Sequence, residues 1–77
     1  MSPACQQYAT ARAAVERAVQ HADEVARAEG WDVGDGQWSD EASDHLYDER
    51  EVLGAETYAL AKELLEETER ERKERRR

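Results

Sequence analysis

The chain has little of the residues that cross-link a fold or carry it into a membrane. Its 77 residues include one cysteine, one proline and four glycines, with no phenylalanine or isoleucine. A single cysteine, Cys5, excludes an internal disulfide, and we expect it to pack as a small apolar residue. A signal for secretion or membrane insertion has a basic start followed by an apolar run, and we find no such pattern in the sequence. The composition therefore predicts a cytoplasmic protein with no membrane partner.

Large apolar side chains are also scarce. Hydrophobic residues make up 39% of the chain, but 13 of those 30 residues are alanines. A chain this short buries too little apolar surface to offset its ordering entropy comfortably. We therefore expect a partner to complete the core, and a second copy of the chain is the simplest one.

Known catalytic motifs are missing as well. The sequence has no Gly-rich phosphate loop, nucleophile elbow, cysteine pair or H-E-x-x-H motif. Carboxylates are plentiful, but an exposed helix offers no apolar pocket that separates their pKa values for acid and base roles. These absences argue against an enzyme, and no cofactor is expected.

What is present predicts an all-α fold, a two-helix antiparallel hairpin. The first helix is expected over residues 3–29, because Ser2 suits the N-cap, Pro3 the first helical position and Gly30 the left-handed end. Within it, apolar residues recur at spacings of three and four. They form one seam and a flanking row: Ala4, Tyr8, Ala11, Val15, Ala18, Ala22 and Val25, then Cys5, Ala9, Val19 and Ala26.

A connection over residues 30–39 and a second helix over residues 40–67 complete the predicted hairpin. The connection carries both tryptophans and three of the four glycines, so we expect Trp31 and Trp38 to fold back over the open end of the bundle. Gly54 lies inside the second helix at a cost of about 1 kcal/mol relative to alanine. That cost is tolerable if the glycine lets another backbone approach closely.

The second helix has two adjacent apolar rows, more than one short helix can cover. Self-association into a homodimeric four-helix bundle is the simplest inference. The alternative is that the second row, with Tyr47 in it, docks on a different protein. The predicted dimer interface consists of Leu53, Tyr58, Leu60, Ala61, Leu64 and Leu65.

Charge is sorted along the chain, which has a net charge of −8. Residues 29–51 hold nine carboxylates against one base, Arg50. We expect this segment to present an acidic surface to a basic protein partner, such as a nucleic-acid-binding protein, in a regulatory or inhibitory role. The expected partner-binding residues are the acidic Asp40, Glu41, Asp44, Asp48 and Glu49, with Trp31, Trp38 and Tyr47 as aromatic anchors.

The last nine residues reverse the sign of the charge. We expect a domain over residues 1–68 and a solvated basic extension of the second helix over residues 69–77. Helix stabilisation by the dipole explains such an extension; the alternative is a nucleic-acid-associated dimer that uses it as an arm. The bases of that arm are Arg70, Arg72, Lys73, Arg75, Arg76 and Arg77.

A metal-binding helical bundle is the remaining alternative. The aspartates of the connection do not fit the EF-hand spacing. His21 with Glu24 and Glu41 with His45 do not form the E-x-x-H pairs of di-iron bundles. Surface histidines are therefore the preferred interpretation, and no metal site is assigned.

Overall fold

The computed structural model describes residues 3–31 and 36–75, with side chains described for 5–31 and 36–74. It contains four helices and, in these ranges, no strand. They are α1 (Pro3–Glu29), α2 (Gly36–Asp48), α3 (Arg50–Leu53) and α4 (Ala55–Arg75). The all-α prediction is confirmed. The two-helix count is wrong, because the expected second helix is interrupted at Glu49 and Gly54.

Helix α1 ends at the glycine that the sequence marks. Gly30 has a φ of 77°, and the amide of Trp31 donates to the carbonyl of Ala26 at 2.8 Å. This 6→1 hydrogen bond, which closes around a glycine in the left-handed conformation, defines the Schellman motif. The bounds of α1 equal the expected 3–29, while the capping role predicted for Ser2 falls outside the described residues.

Helix α2 begins earlier than expected. Its first residue is Gly36, so Trp38 lies in its first turn and not in a connecting loop. Trp38 is completely buried, and Trp31 is half-buried against the same core. The tryptophans do pack on the core as predicted, but Trp38 does so as part of a helix.

Helices α2, α3 and α4 replace the single helix predicted over residues 40–67. Gly54 has φ 88° and ψ 159°, a backbone conformation that is almost restricted to glycine. Its amide donates to the carbonyl of Arg50 at 2.9 Å, and its own carbonyl accepts from the amide of Tyr58 at 2.9 Å to begin α4. No atom lies within 4 Å of the position of a Cβ at Gly54. The glycine is therefore needed for a change of direction, not for a close approach between backbones.

Helix α2 runs antiparallel to α1. Near the start of α2 the indole of Trp38 contacts Asp23, and just beyond its last residue the carboxylate of Glu49 contacts Arg17. Residue numbers therefore rise along α2 as they fall along α1. Only the first part of the predicted antiparallel partner, from residue 40 to Asp48, therefore pairs with α1 in the predicted direction.

Helix α4 runs parallel to α1. Gln7 contacts Glu56 at 3.5 Å near the start of both helices, and Arg72 contacts Asp23 at 2.8 Å near their ends. The chain therefore folds as an up-down-up bundle of three long helices, with α3 in the second bend. One chain supplies the third helix that we expected from a second copy.

The core lies between α1, α2 and α4 and consists mainly of alanine. Of the eleven hydrophobic residues that are buried in the described part of the chain, seven are alanines. Alanine allows the three backbones to approach closely, but each contributes little transfer energy. Trp38 and Leu46 are the largest fully buried side chains, so they carry a disproportionate share of the packing. The eleven residues are Ala11, Ala14, Val15, Ala18, Ala22, Ala26, Trp38, Ala42, Leu46, Ala61 and Leu65.

Two further expectations are corrected. Ala61 and Leu65, predicted at a dimer interface, are 0% and 3% exposed within one chain because α4 packs on α1 and α2. Cys5 is exposed on the first turns of α1 and does not belong to the core.

Candidate interaction surface

The carboxylates of the acidic segment, residues 29–51, that lie on and next to α2 form two groups: one group faces solvent and the other faces α1. Asp40, Asp44 and Asp48 are exposed, one turn apart along the outer face of α2. We call these three residues the α2 ridge. Over the described ranges none of them takes part in an ion pair or a side-chain hydrogen bond. The ridge is therefore a row of unneutralised carboxylates.

Glu49 belongs to the second group and faces α1. Its Oε1 accepts from Arg17 Nη2 at 2.7 Å and from Arg17 Nε at 3.1 Å. Its Oε2 lies 3.6 Å from Nδ1 of His45. Glu49 was predicted to bind a partner, but its carboxylate is already engaged within the chain.

Glu41 is engaged in the same way. His21 Nε2 lies 3.1 Å from Glu41 Oε2, and the rings of His21 and His45 are packed with centroids 4.9 Å apart. These residues, with Arg17 and Glu49, form a polar seam between α1 and α2. The seam orients α2 so that the ridge points away from the bundle.

Among the predicted aromatic anchors, Tyr47 is the exposed one. It is 52% exposed, its ring meets that of Tyr58 edge-on at 6.3 Å, and the guanidinium of Arg50 lies 4.2 Å from its centroid. Trp38 is inaccessible: it is fully buried, and its Nε1 donates to Asp23 Oδ1 at 2.8 Å. Trp38 is therefore a core residue and not an anchor for a partner.

The remaining residues of the predicted dimer interface lie at the edge of the core. Each of them packs against the core on one side and is partly exposed to solvent on the other. Whether a second chain covers that surface stays a prediction. These residues are Leu53, Tyr58, Leu60 and Leu64.

The basic extension is not a free arm over its whole length. Helix α4 continues to Arg75, and Arg72 donates to both carboxylate oxygens of Asp23, at 2.8 and 3.3 Å. Its guanidinium also lies 4.9 Å from the ring centroid of Trp38. Arg72 therefore closes the end of the bundle, which contradicts the expectation of a solvated extension from residue 69.

The other bases of the extension differ from Arg72. Arg70 and Lys73 are exposed. Arg75 is the last residue of α4, but its side chain is outside the described part of the chain, as are Arg76 and Arg77. The predicted nucleic-acid arm is thus reduced, where the structure describes it, to two exposed bases.

Among the carboxyl groups of the described residues, Glu69 is the one whose pKa departs clearly from its ordinary value. Partial burial between α2 and α4 raises its pKa above the ordinary 4.5, and the neighbouring Glu66 and Asp40 also raise it. Lys73 and a hydrogen bond donated by Ser39 act in the opposite direction without cancelling the rise in the pKa. A folded-state pKa above the unfolded value means that the ionised carboxylate disfavours the fold.

We therefore expect Glu69→Gln to stabilise the protein at pH 7.5 and to have little effect at pH 3.5. Below the unfolded-state pKa, near 4.5, Glu69 is protonated in both the folded and the unfolded chain and does not disfavour the fold. As pH rises through the raised folded-state pKa, the carboxyl group ionises and this part of the stability is lost. Urea unfolding followed by circular dichroism at both pH values measures the difference. Glu63→Gln, at an exposed position of the same helix, is the control; a stabilisation by Glu69→Gln that is equal at both pH values contradicts this account.

A metal centre is not built by these residues. Across residues 5–31 and 36–74, no group of three histidine, cysteine or carboxylate side chains is arranged to hold a metal ion. The two histidines of the polar seam face each other and the carboxylates of α2.

Comparisons with known proteins add no further evidence. No family model, curated protein or solved structure matches this chain. Within the described ranges, no helix has both the length and the apolar character to cross a membrane. A functional proposal must therefore rest on the geometry of the chain itself.

Proposed function

We propose that this protein is a non-enzymatic regulatory or inhibitory interaction module that presents the α2 ridge to a basic surface of another protein. The observation that carries the proposal is that, among the side chains the structure describes, none forms an ion pair with Asp40, Asp44 or Asp48, although the neighbouring Glu41 and Glu49 are both engaged. Like charges four residues apart on a helix cost about 0.2–0.5 kcal/mol per pair. A basic partner relieves this repulsion.

The helix dipole does not explain the ridge. Carboxylates stabilise a helix near its first turn and destabilise it near its last. Because α2 ends at Asp48, this residue lies at the unfavourable end. Its charge thus lowers the stability of its own helix, which is the cost expected of a surface that serves recognition.

The proposal predicts that Asp44→Lys combined with Asp48→Lys slows association with the partner at least tenfold at low salt while the fold is retained. Steering by complementary charge raises association rates by about 10- to 1000-fold, and salt screens it. A pull-down from the source cell supplies the partner, and stopped-flow mixing measures the rate constant. Circular dichroism checks the fold.

The matched control is Glu24→Lys with Glu29→Lys, which makes the same charge change at exposed positions of α1. It should leave most of the rate intact. Equal slowing of association by both double variants would show that only the net charge of the protein matters. An unchanged association rate of the ridge variant at low salt would show that the ridge does not contact the partner.

The second candidate is nucleic-acid association through the basic end of α4, favoured by the exposure of Arg70 and Lys73. Truncation after Thr68 would also remove Arg72 and its contact with Asp23, so it tests folding as much as binding. Arg70→Gln with Lys73→Gln is the cleaner variant. A titration with single- and double-stranded DNA and RNA at low salt distinguishes the two functions, since the α2 ridge repels phosphate.

The homodimer and its four-helix bundle stay a prediction whose physical basis has changed. A second copy was expected because one hairpin leaves two apolar rows uncovered. In the structure, α4 covers α1 within the same chain. Light scattering on the isolated chain measures its oligomeric state.

A further inference from the structure

A groove runs along the outside of the bundle between the parallel helices α1 and α4. It has a volume of about 380 Å³, and no residue of α2 lines it. Val15, Val19 and Leu64 line its floor; Val15 is buried, whereas Val19 and Leu64 are half-buried. The groove is thus an apolar strip on a different face from the α2 ridge.

The rim of the groove is acidic. Glu16 on α1 and Glu67 and Glu71 on α4 are exposed along it. Arg12 is the base among the lining residues; its Nε lies 3.9 Å from Glu16 Oε1, so the two charges offset each other on the α1 side. The net negative charge of the rim therefore lies on α4, and an occupant of this groove should be apolar at its centre and positively charged on the side that faces α4.

The length of the groove matches a short helix. Its lining extends from Arg12 to Gln20 on α1 and from Leu64 to Glu71 on α4. Eight residues of α-helix rise about 12 Å, roughly two turns. An amphipathic helix seats apolar side chains at spacings of three, four and seven in such a groove.

We propose that this groove binds an amphipathic helix of a partner protein, with lysine or arginine on the side of its apolar stripe that faces Glu67 and Glu71 of α4. Charge complementarity selects this occupant over a second copy. Each chain carries a net charge of −8, and two copies docked groove to groove would bring Glu16, Glu67 and Glu71 close to the same carboxylates of the other copy. The inference goes beyond the proposed function, because it names a second surface that recognises apolar contact as well as charge.

The test uses the full chain labelled with ¹⁵N and a designed 18-residue Leu/Lys amphipathic helical peptide. Binding is expected to shift amide signals of residues 12–20 and 64–71. Glu67→Lys with Glu71→Lys is expected to weaken affinity at least tenfold, and since both positions are exposed, this variant does not depend on refilling the core. Val19→Gln tests the apolar floor, with its fold checked by circular dichroism.

Controls separate the groove from the ridge. A peptide of the same composition with its stripe scrambled, and a Leu/Glu peptide, should bind at least tenfold more weakly; equal binding of either overturns the proposal. The ridge variant Asp44→Lys with Asp48→Lys should bind the Leu/Lys peptide with its affinity retained. Shifts confined to α2 and lost in that variant would support the ridge and overturn the groove.

Two further outcomes also count against the proposal. Concentration-dependent shifts of residues 12–20 and 64–71 without peptide would assign the groove to a second copy of the chain. An absence of shifts at those residues with the Leu/Lys peptide would show that the groove does not take a basic helix.

Discussion

Trp38→Ala is expected to lower the free energy of unfolding by about 3–5 kcal/mol. Trp38 is 0% exposed in a core made mainly of alanine, so neighbouring side chains are too small to refill the space it leaves. The substitution also removes the hydrogen bond to Asp23 and the ring beneath Arg72. Domains are stable by about 0.05–0.15 kcal/mol per residue, or roughly 4–12 kcal/mol for 77 residues, so a loss of this size removes a large fraction of the total stability.

Trp38→Phe is expected to cost less than Trp38→Ala, because it keeps an aromatic ring in the core. It still removes the N–H donor to a carboxylate, worth about 1.5–3 kcal/mol, and leaves a smaller cavity where the second ring of the indole was. Tyr8→Ala, at a position 45% exposed, is the control for aromatic truncation outside the core. Urea unfolding followed by circular dichroism measures all three. If Trp38→Ala costs no more than Tyr8→Ala, the indole does not occupy the centre of the core.

Gly54→Ala is expected to destabilise the protein by about 1–3 kcal/mol, because alanine is strained at φ 88° and ψ 159°. An unbroken helix over residues 40–67 predicts the opposite sign. There the same substitution stabilises the protein by about 1 kcal/mol, since alanine is the better helix former. A single unfolding curve therefore decides between a broken and a continuous second helix.

Gly36→Ala is the matched control for this prediction. Gly36 begins α2, does not have a positive φ, and has no atom within 4 Å of the position of a Cβ. Replacing glycine where alanine fits without strain stabilises a protein by about 0.4–1 kcal/mol through the unfolded state. Opposite signs at Gly54 and Gly36 would support the bend, whereas stabilisation at both positions would contradict it.

The two proposed surfaces make different demands on a partner. The α2 ridge offers charge alone, so binding there should weaken steeply as salt increases. The groove between α1 and α4 adds the apolar contacts of Val15, Val19 and Leu64, which salt does not screen. The salt dependence of binding therefore indicates which surface a natural partner uses.

The division of the acidic segment was not predictable from the sequence. Glu41 and Asp44 have similar surroundings in the chain, and both were expected to contact a partner. They differ because His21 on α1 lies opposite Glu41, whereas no side chain in the described ranges pairs with Asp44. Such a difference depends on the rotation of α2 about its axis, which only packing against α1 sets.

The sequence by itself determined the helical class of this protein and the whole of α1. An amphipathic repeat and a glycine stop signal act within one or two turns, so Gly30 ends α1 where local rules predict. Tertiary structure decided the rest. Gly54 is compatible with a continuous helix or a bend, and the contacts that α4 makes with α1 select the bend. Asp23 accepts from Trp38, 15 residues away, and from Arg72, 49 residues away, a junction that forms only once three helices are assembled.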